Sequence, residues 1–172
     1  IQLISRVAVI LLSLERYVKH SKILRGGVAL LNYFKTINEF FQRSIGYTCY
    51  QLYIFTNCMK SWVDEYVQHF PEVFRGVTVV CSEDVGVVKP DPQAFIRFVN
   101  KYGLDPLKTM YIDHDQACLD AAKGIGIKTL LFDASSCGEF INTVKALKQA
   151  GVLVCRDWPS DETLARRCFE GV

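Results

Sequence analysis

The sequence predicts an α/β domain built on an open parallel sheet wound on both faces. Short β-branched apolar runs alternate with longer stretches of helical periodicity from one end of the chain to the other. The links between them are short, which is the pattern of successive βαβ units. At 172 residues, half of them hydrophobic and 22% charged, the chain is long enough to bury a core and too apolar for disorder.

The first run, "VAVILL" (Val7 to Leu12), is continuous and β-branched, as a strand buried on both faces requires. "GGVALLNYFKTINEFFQRS" (Gly26 to Ser44) places Leu30, Leu31, Phe34, Ile37 and Phe41 on one helical face. "YQLYIFTN" (Tyr50 to Asn57) is a strand ending in small polar residues, and "SWVDEYVQHF" (Ser61 to Phe70) a helix capped by Ser61 and stopped before Pro71. "GVTVVCS" (Gly76 to Ser82) is the third strand. "DPQAFIRFVNKYG" is a helix with Asp91 as cap, Pro92 in its first turn and Gly103 as terminator. "TMYID" (Thr109 to Asp113), a helix from Gln116 to Lys123, "IKTLLFD" (Ile127 to Asp133) and a helix over "GEFINTVKALKQAG" complete the alternation. Residues 1–154 form the α/β domain in this reading, and 155–172 a polar C-terminal tail.

Composition narrows the function classes. A net charge of +2 with scattered Lys and Arg gives no footprint for nucleic acid. The longest apolar run is far too short to span a membrane. Seven cysteines, an odd number with no CxxC spacing, fit neither a disulfide scaffold nor a zinc site. They read as reduced thiols of an intracellular, reducing compartment, either cytoplasm or an organelle matrix such as the mitochondrial one. The chain starts at Ile1 rather than Met, which leaves room for a removed targeting peptide.

In open parallel sheets, ligands sit at the carboxyl ends of the strands, so the polar residues there are the candidates. The second strand ends in Thr56 and Asn57, "SEDVGVVKPDPQAF" follows the third and brings Lys89, and the fourth ends in Asp113 ahead of "HDQACLDAAKGIGI". This ordered set resembles the haloacid dehalogenase-like (HAD) hydrolase superfamily, over about Ser13 to Asp133. Thr56 matches its second-motif Ser/Thr, Lys89 its third-motif Lys and Asp113 its fourth-motif acid, at separations of the size the family shows. The resemblance implies a Rossmann-like, three-layer, doubly wound parallel sheet. It also implies Thr56, Asn57 and Lys89 as phosphate-binding positions, Asp113 as a metal ligand and Mg²⁺ as the family's cofactor. The short stretch from Ser13 to Gly26 leaves no room for a helical cap domain.

The same resemblance exposes departures. The family's first strand ends in Asp-x-Asp, which supplies nucleophile and general acid; this chain has no aspartate before Asp64. In "VILLSLERY", Ser13 falls on the nucleophile, Glu15 on the general acid and Arg16 on a glycine. A serine hydroxyl brings no charge to a metal and has no activating base in the matched motifs. His114 stands where the family often has a second acid, and Asp115 points elsewhere. "VILLSLERY" could instead be an amphipathic helix left from a cap, with the true first strand upstream; a sheet that needs a central strand favours the strand.

The expectation is a catalytically inactive HAD-like domain without a cofactor, serving as a structural or protein-binding subunit with other protein subunits as partners. The insertion "TINEFFQRSIGYTCYQ" and the tail are the places for such contacts. The alternative is a Mg²⁺-dependent phosphomonoesterase with a truncated or atypical first motif. At residue level, Lys89 pairs with Asp113 as a structural ion pair, His114 is a loop residue, Thr56 and Asn57 satisfy loop backbone, and Tyr47, Tyr50, Trp62 and Trp158 pack in core or rim.

Overall fold

The computed structural model describes residues 9–12, 25–132, 136–152 and 161–171. Five parallel strands form one sheet: β1 (Val9–Leu12), β2 (Gln51–Thr56), β3 (Val77–Cys81), β4 (Thr109–Asp113) and β5 (Lys128–Leu131), in the order β3-β2-β1-β4-β5. The apolar run at the start of the chain is therefore the central strand, as its composition predicts. Leu12 pairs with Ile54 on one side and Ile112 on the other, and β2 and β4 run on past it by two and one residues, to Thr56 and Asp113.

The first helix, α1 (Arg25–Ile45), turns Leu30, Phe34, Ile37 and Phe41 into the core and Glu39, Gln42 and Arg43 outward. It stops at Gly46, whose φ of 70° admits a left-handed turn and whose N–H reaches the carbonyl of Gln42. Helix α2 (Lys60–His69) corrects an expectation: Ser61 does not cap it, because the helix begins one residue earlier at Lys60. Its Lys60 N–H is satisfied by the Glu83 carboxylate, 23 residues away in sequence, so a tertiary partner replaces the local cap. Pro71 not only ends α2 but opens a single turn, α3 (Pro71–Phe74).

A further turn, α4 (Ser82–Val85), follows β3, and the Asp84 carboxylate accepts the N–H of Cys81. Helix α5 (Pro92–Tyr102) is built as its sequence predicts: Asp91 accepts from the Gln93 N–H and Gly103 closes the helix at φ 62°. Helix α6 (Gln116–Gly124) precedes β5, and α7 (Cys137–Gln149) follows it, capped by Ser136 with Glu139 reaching back.

The two faces of the sheet carry separate cores. One gathers Leu30, Phe34, Ile54, Ile112 and Phe140; the other gathers Phe55, Phe95, Phe98, Tyr111 and Leu119 beneath α5 and α6. This is the three-layer arrangement, and no cap domain is present among the described residues. Part of the segment expected as a polar tail lies within the described residues. Residues Asp161–Glu170 form a helix, α8, that packs on α1 and α7 and buries Ala165 and Phe169. Its polar composition masks a helical stripe of Leu164, Ala165, Cys168 and Phe169. Of the four aromatics, Tyr50 is buried, Tyr47 and Trp62 are exposed, and Trp158 lies outside the described residues.

Phe169 lies against Phe140, ring centroids 5.8 Å apart. Phe169→Ala should cost about 3 kcal/mol by loss of that packing. A urea midpoint unchanged by the substitution would show α8 to be a dispensable appendage.

Candidate functional site

Alternate residues of a strand share a face, and β4 uses this to bring Tyr111 and Asp113 to the same side at its carboxyl end. Tyr111 is wholly buried and Asp113 nearly so. From across the sheet comes Lys89, held by its backbone. The Asn57 side-chain amide donates to the carbonyl of Lys89 at 2.8 Å, and its carbonyl oxygen accepts the Lys89 N–H at 2.9 Å. This two-bond pair fastens the loop carrying Lys89 to the end of β2. Both polar atoms of the Asn57 side chain thus meet loop backbone.

The Lys89 side chain is buried between the Phe55 and Tyr111 rings, its Nζ 5.4 Å from each centroid. Nζ donates to the Tyr111 hydroxyl at 2.9 Å and lies 3.6 Å from Asp113 Oδ2. The Tyr111 hydroxyl in turn donates to Asp113 Oδ2. On the other carboxylate oxygen, Oδ1 accepts the N–H of His114 at 2.7 Å and of Asp115 at 3.1 Å, and faces His114 Nδ1 at 3.1 Å. A carboxylate offers about four lone-pair directions. Those of Asp113 are met from within the protein.

Two neighbouring groups have local duties. The Thr56 hydroxyl accepts the N–H of Cys58 at 3.1 Å, and the Asp115 carboxylate caps α6 by accepting from Ala117 at 2.9 Å. Asp115 therefore does not stand in for the acid absent at position 114. Cys81, at the end of β3, is buried, and burial followed by the Asp84 charge pushes its thiol up to about 11. It is a thiol rather than a thiolate at neutral pH and is no nucleophile.

Mg²⁺ requires several oxygen ligands, more than one of them commonly charged. Among the described residues no group of three His, Cys, Asp or Glu side chains can hold a metal ion. The acceptors of Asp113 are already taken. The described donor set therefore does not fit the ion. Ser13, Glu15 and Arg16 lie outside the described residues. The structure brings Thr56, Asn57, Lys89 and Asp113 to one end of the sheet, as the motif order predicts. Sequence reasoning missed Tyr111; its place two residues before Asp113 on one strand face is the signal that could have found it.

A groove of about 880 Å³ lies at the opposite, amino-terminal edge of β2 and β3, between α1 and the turn after α3. Lys35, Asn38, Arg43, Thr48, Arg75 and Thr78 are among its lining residues. Two clamps shape it: Asn38 makes a two-bond pair with the backbone of Tyr50, and Lys35 donates to the carbonyls of Glu72 and Val73. Burial pulls the Lys35 ammonium below its ordinary pKa, partly offset by the Glu72 charge.

Residues 5–132 match the family model described as haloacid dehalogenase-like hydrolase. Among solved structures the chain is similar to an uncharacterized protein from Corynebacterium glutamicum (TM-score 0.60, 14% identity, covering 88% of this chain and 98% of that one). It is also similar to a predicted HAD-like family hydrolase from Porphyromonas gingivalis (TM-score 0.55, 15% identity, 84% and 98% covered). A third is the wild-type HAD family enzyme from Bacteroides thetaiotaomicron in complex with magnesium and inorganic phosphate (TM-score 0.50, 15% identity, 76% and 96% covered). At these identities the likeness is one of fold. No curated protein matches the chain.

Removing one member of a buried ion pair strands the other. Lys89→Met and Asp113→Leu should each destabilise the protein by about 3–5 kcal/mol, and the double variant Lys89→Met/Asp113→Leu by clearly less than their sum. Additive losses in urea denaturation would mean the two groups do not depend on each other. Cys81 should resist iodoacetamide at neutral pH in the native protein and react on unfolding, as peptide mapping of the alkylated chain can check.

Proposed function

The chain belongs to the haloacid dehalogenase-like hydrolases, and from that premise we propose that it is a catalytically inactive member serving as a structural or protein-binding subunit of a larger assembly. The observation that carries this is the state of Asp113. Its oxygens accept from Tyr111, His114 and Asp115 beside the Lys89 ammonium, and its side chain is wholly inaccessible. Groups that would neutralise a metal and a phosphoryl group are spent on each other. The sequence supports the same reading, because Ser13 stands at the nucleophile position and Arg16 where a glycine would leave room for substrate.

The binding role draws on what lies away from the strand ends. The segment 36–51 forms the last turns of α1, the return to β2 and its first residue, and walls the polar groove. Exposed Phe40, Ile45 and Tyr47 belong to the same segment. Other protein subunits are the partners proposed for this face, in a reducing intracellular compartment where the free thiols persist. A near-neutral charge supports no nucleic-acid role.

A second reading, a Mg²⁺-dependent phosphomonoesterase with an atypical first motif, is favoured by one observation: Thr56, Lys89 and Asp113 stand together in the family's order. The fold neighbour that carries magnesium and phosphate makes it worth testing. The two readings separate in one assay. With a generic phosphomonoester and Mg²⁺, the purified chain should release no phosphate above an Asp113→Asn control. Turnover that disappears in Asp113→Asn would establish the phosphatase instead.

A further inference from the structure

We infer that the Tyr111 hydroxyl is an internal ligand: it occupies the place of a ligand oxygen between Lys89 and Asp113 and keeps both metal and phosphate out of the strand-end site. This rests on the inactive reading above and adds the residue responsible.

In a site that takes an anion and a cation, the ammonium waits for an acceptor oxygen and the carboxylate for a positive partner. Either group left alone in a buried position carries a heavy desolvation cost. Here both needs are met by one atom and its neighbour. The Tyr111 oxygen accepts from Lys89 Nζ at 2.9 Å and donates its proton to Asp113 Oδ2, while Nζ sits 3.6 Å from that same oxygen. The trio is neutral overall and hydrogen-bonded in sequence, which is the condition for a buried polar network to be stable.

The hydroxyl is also held there. Tyr111 is wholly buried on a strand paired on both sides, its ring 5.0 Å from that of Phe95, with Lys89 over its face. A close-packed ring cannot swing aside without repacking its neighbours. An incoming ion would have to displace the hydroxyl, part Lys89 from it and reach two side chains that are cut off from solvent. A side chain that ligand could move cheaply would be a gate; this one is a plug.

The hydroxyl proton reports the arrangement directly, without any assay of activity. In the full-length protein it should appear in the ¹H NMR spectrum as a slowly exchanging downfield resonance, absent in Tyr111→Phe and shifted in Asp113→Asn. Addition of Mg²⁺ together with inorganic phosphate should leave it in place and leave the melting temperature unmoved. Tyr111→Phe, which keeps the ring packing, should melt about 4–8 °C lower, as expected for the two buried hydrogen bonds of its hydroxyl in a chain of this size. Loss or displacement of the resonance on adding Mg²⁺ and phosphate would overturn the internal ligand, even if no turnover followed. Phosphatase turnover that persists in Asp113→Asn, with the resonance undisturbed, would overturn the inactive reading and leave the internal ligand standing, whereas turnover that Asp113→Asn abolishes would overturn both.

Discussion

Val9 to Leu12 pair with Gln51 to Ile54 on one side and with Thr109 to Ile112 on the other, and the rest of the molecule hangs on this. A strand placed between two others has no water to fall back on, so its backbone groups must find partners within the sheet. Parallel partners demand crossover connections, and those put helices on both faces. Equal register on the two sides brings the ends of β2 and β4 to within one residue of each other. The meeting of Thr56, Lys89 and Asp113 is a consequence of that alignment.

What happens at the level ends is governed by the cost of burying charge. Lys89 and Asp113 come from loops and strands far apart in sequence, yet both side chains are cut off from solvent. Such groups persist only when paired and hydrogen-bonded. The same physics that makes a strand-end site able to hold metal and phosphate makes it costly to maintain with neither. Tyr111 relieves that cost from inside the core. On the proposed inactive reading, the family scaffold keeps its polar residues in place while their charges serve folding.

The polar side chains also organise backbone at a distance. Asn38 and Asn57 each present an amide that pairs with the N–H and C=O of a single residue, Tyr50 and Lys89 respectively. The amide imitates one rung of a sheet ladder where no strand is available. One such rung sets the return from α1 into β2 and shapes the amino-terminal groove. The other sets the loop that delivers Lys89. The two ends of the sheet are built by the same device, and only the carboxyl end is closed by buried charge.

Periodicity and local chemistry by themselves determined the order of the strands and main helices, the cap at Asp91 and the stop at Gly103. These depend on residues a few positions apart, so a linear reading captures them. The ordered motifs likewise made Thr56, Lys89 and Asp113 legible as a set, and with them the family. Tertiary structure alone decided that Glu83 serves the start of α2 in place of Ser61. It also decided that the polar C-terminal segment docks through Ala165 and Phe169, and that Tyr111 stands between the ammonium and the carboxylate. In each of these cases the partner lies on another element or across a buried space, and what selects it is desolvation and packing volume, which no local pattern in the chain records.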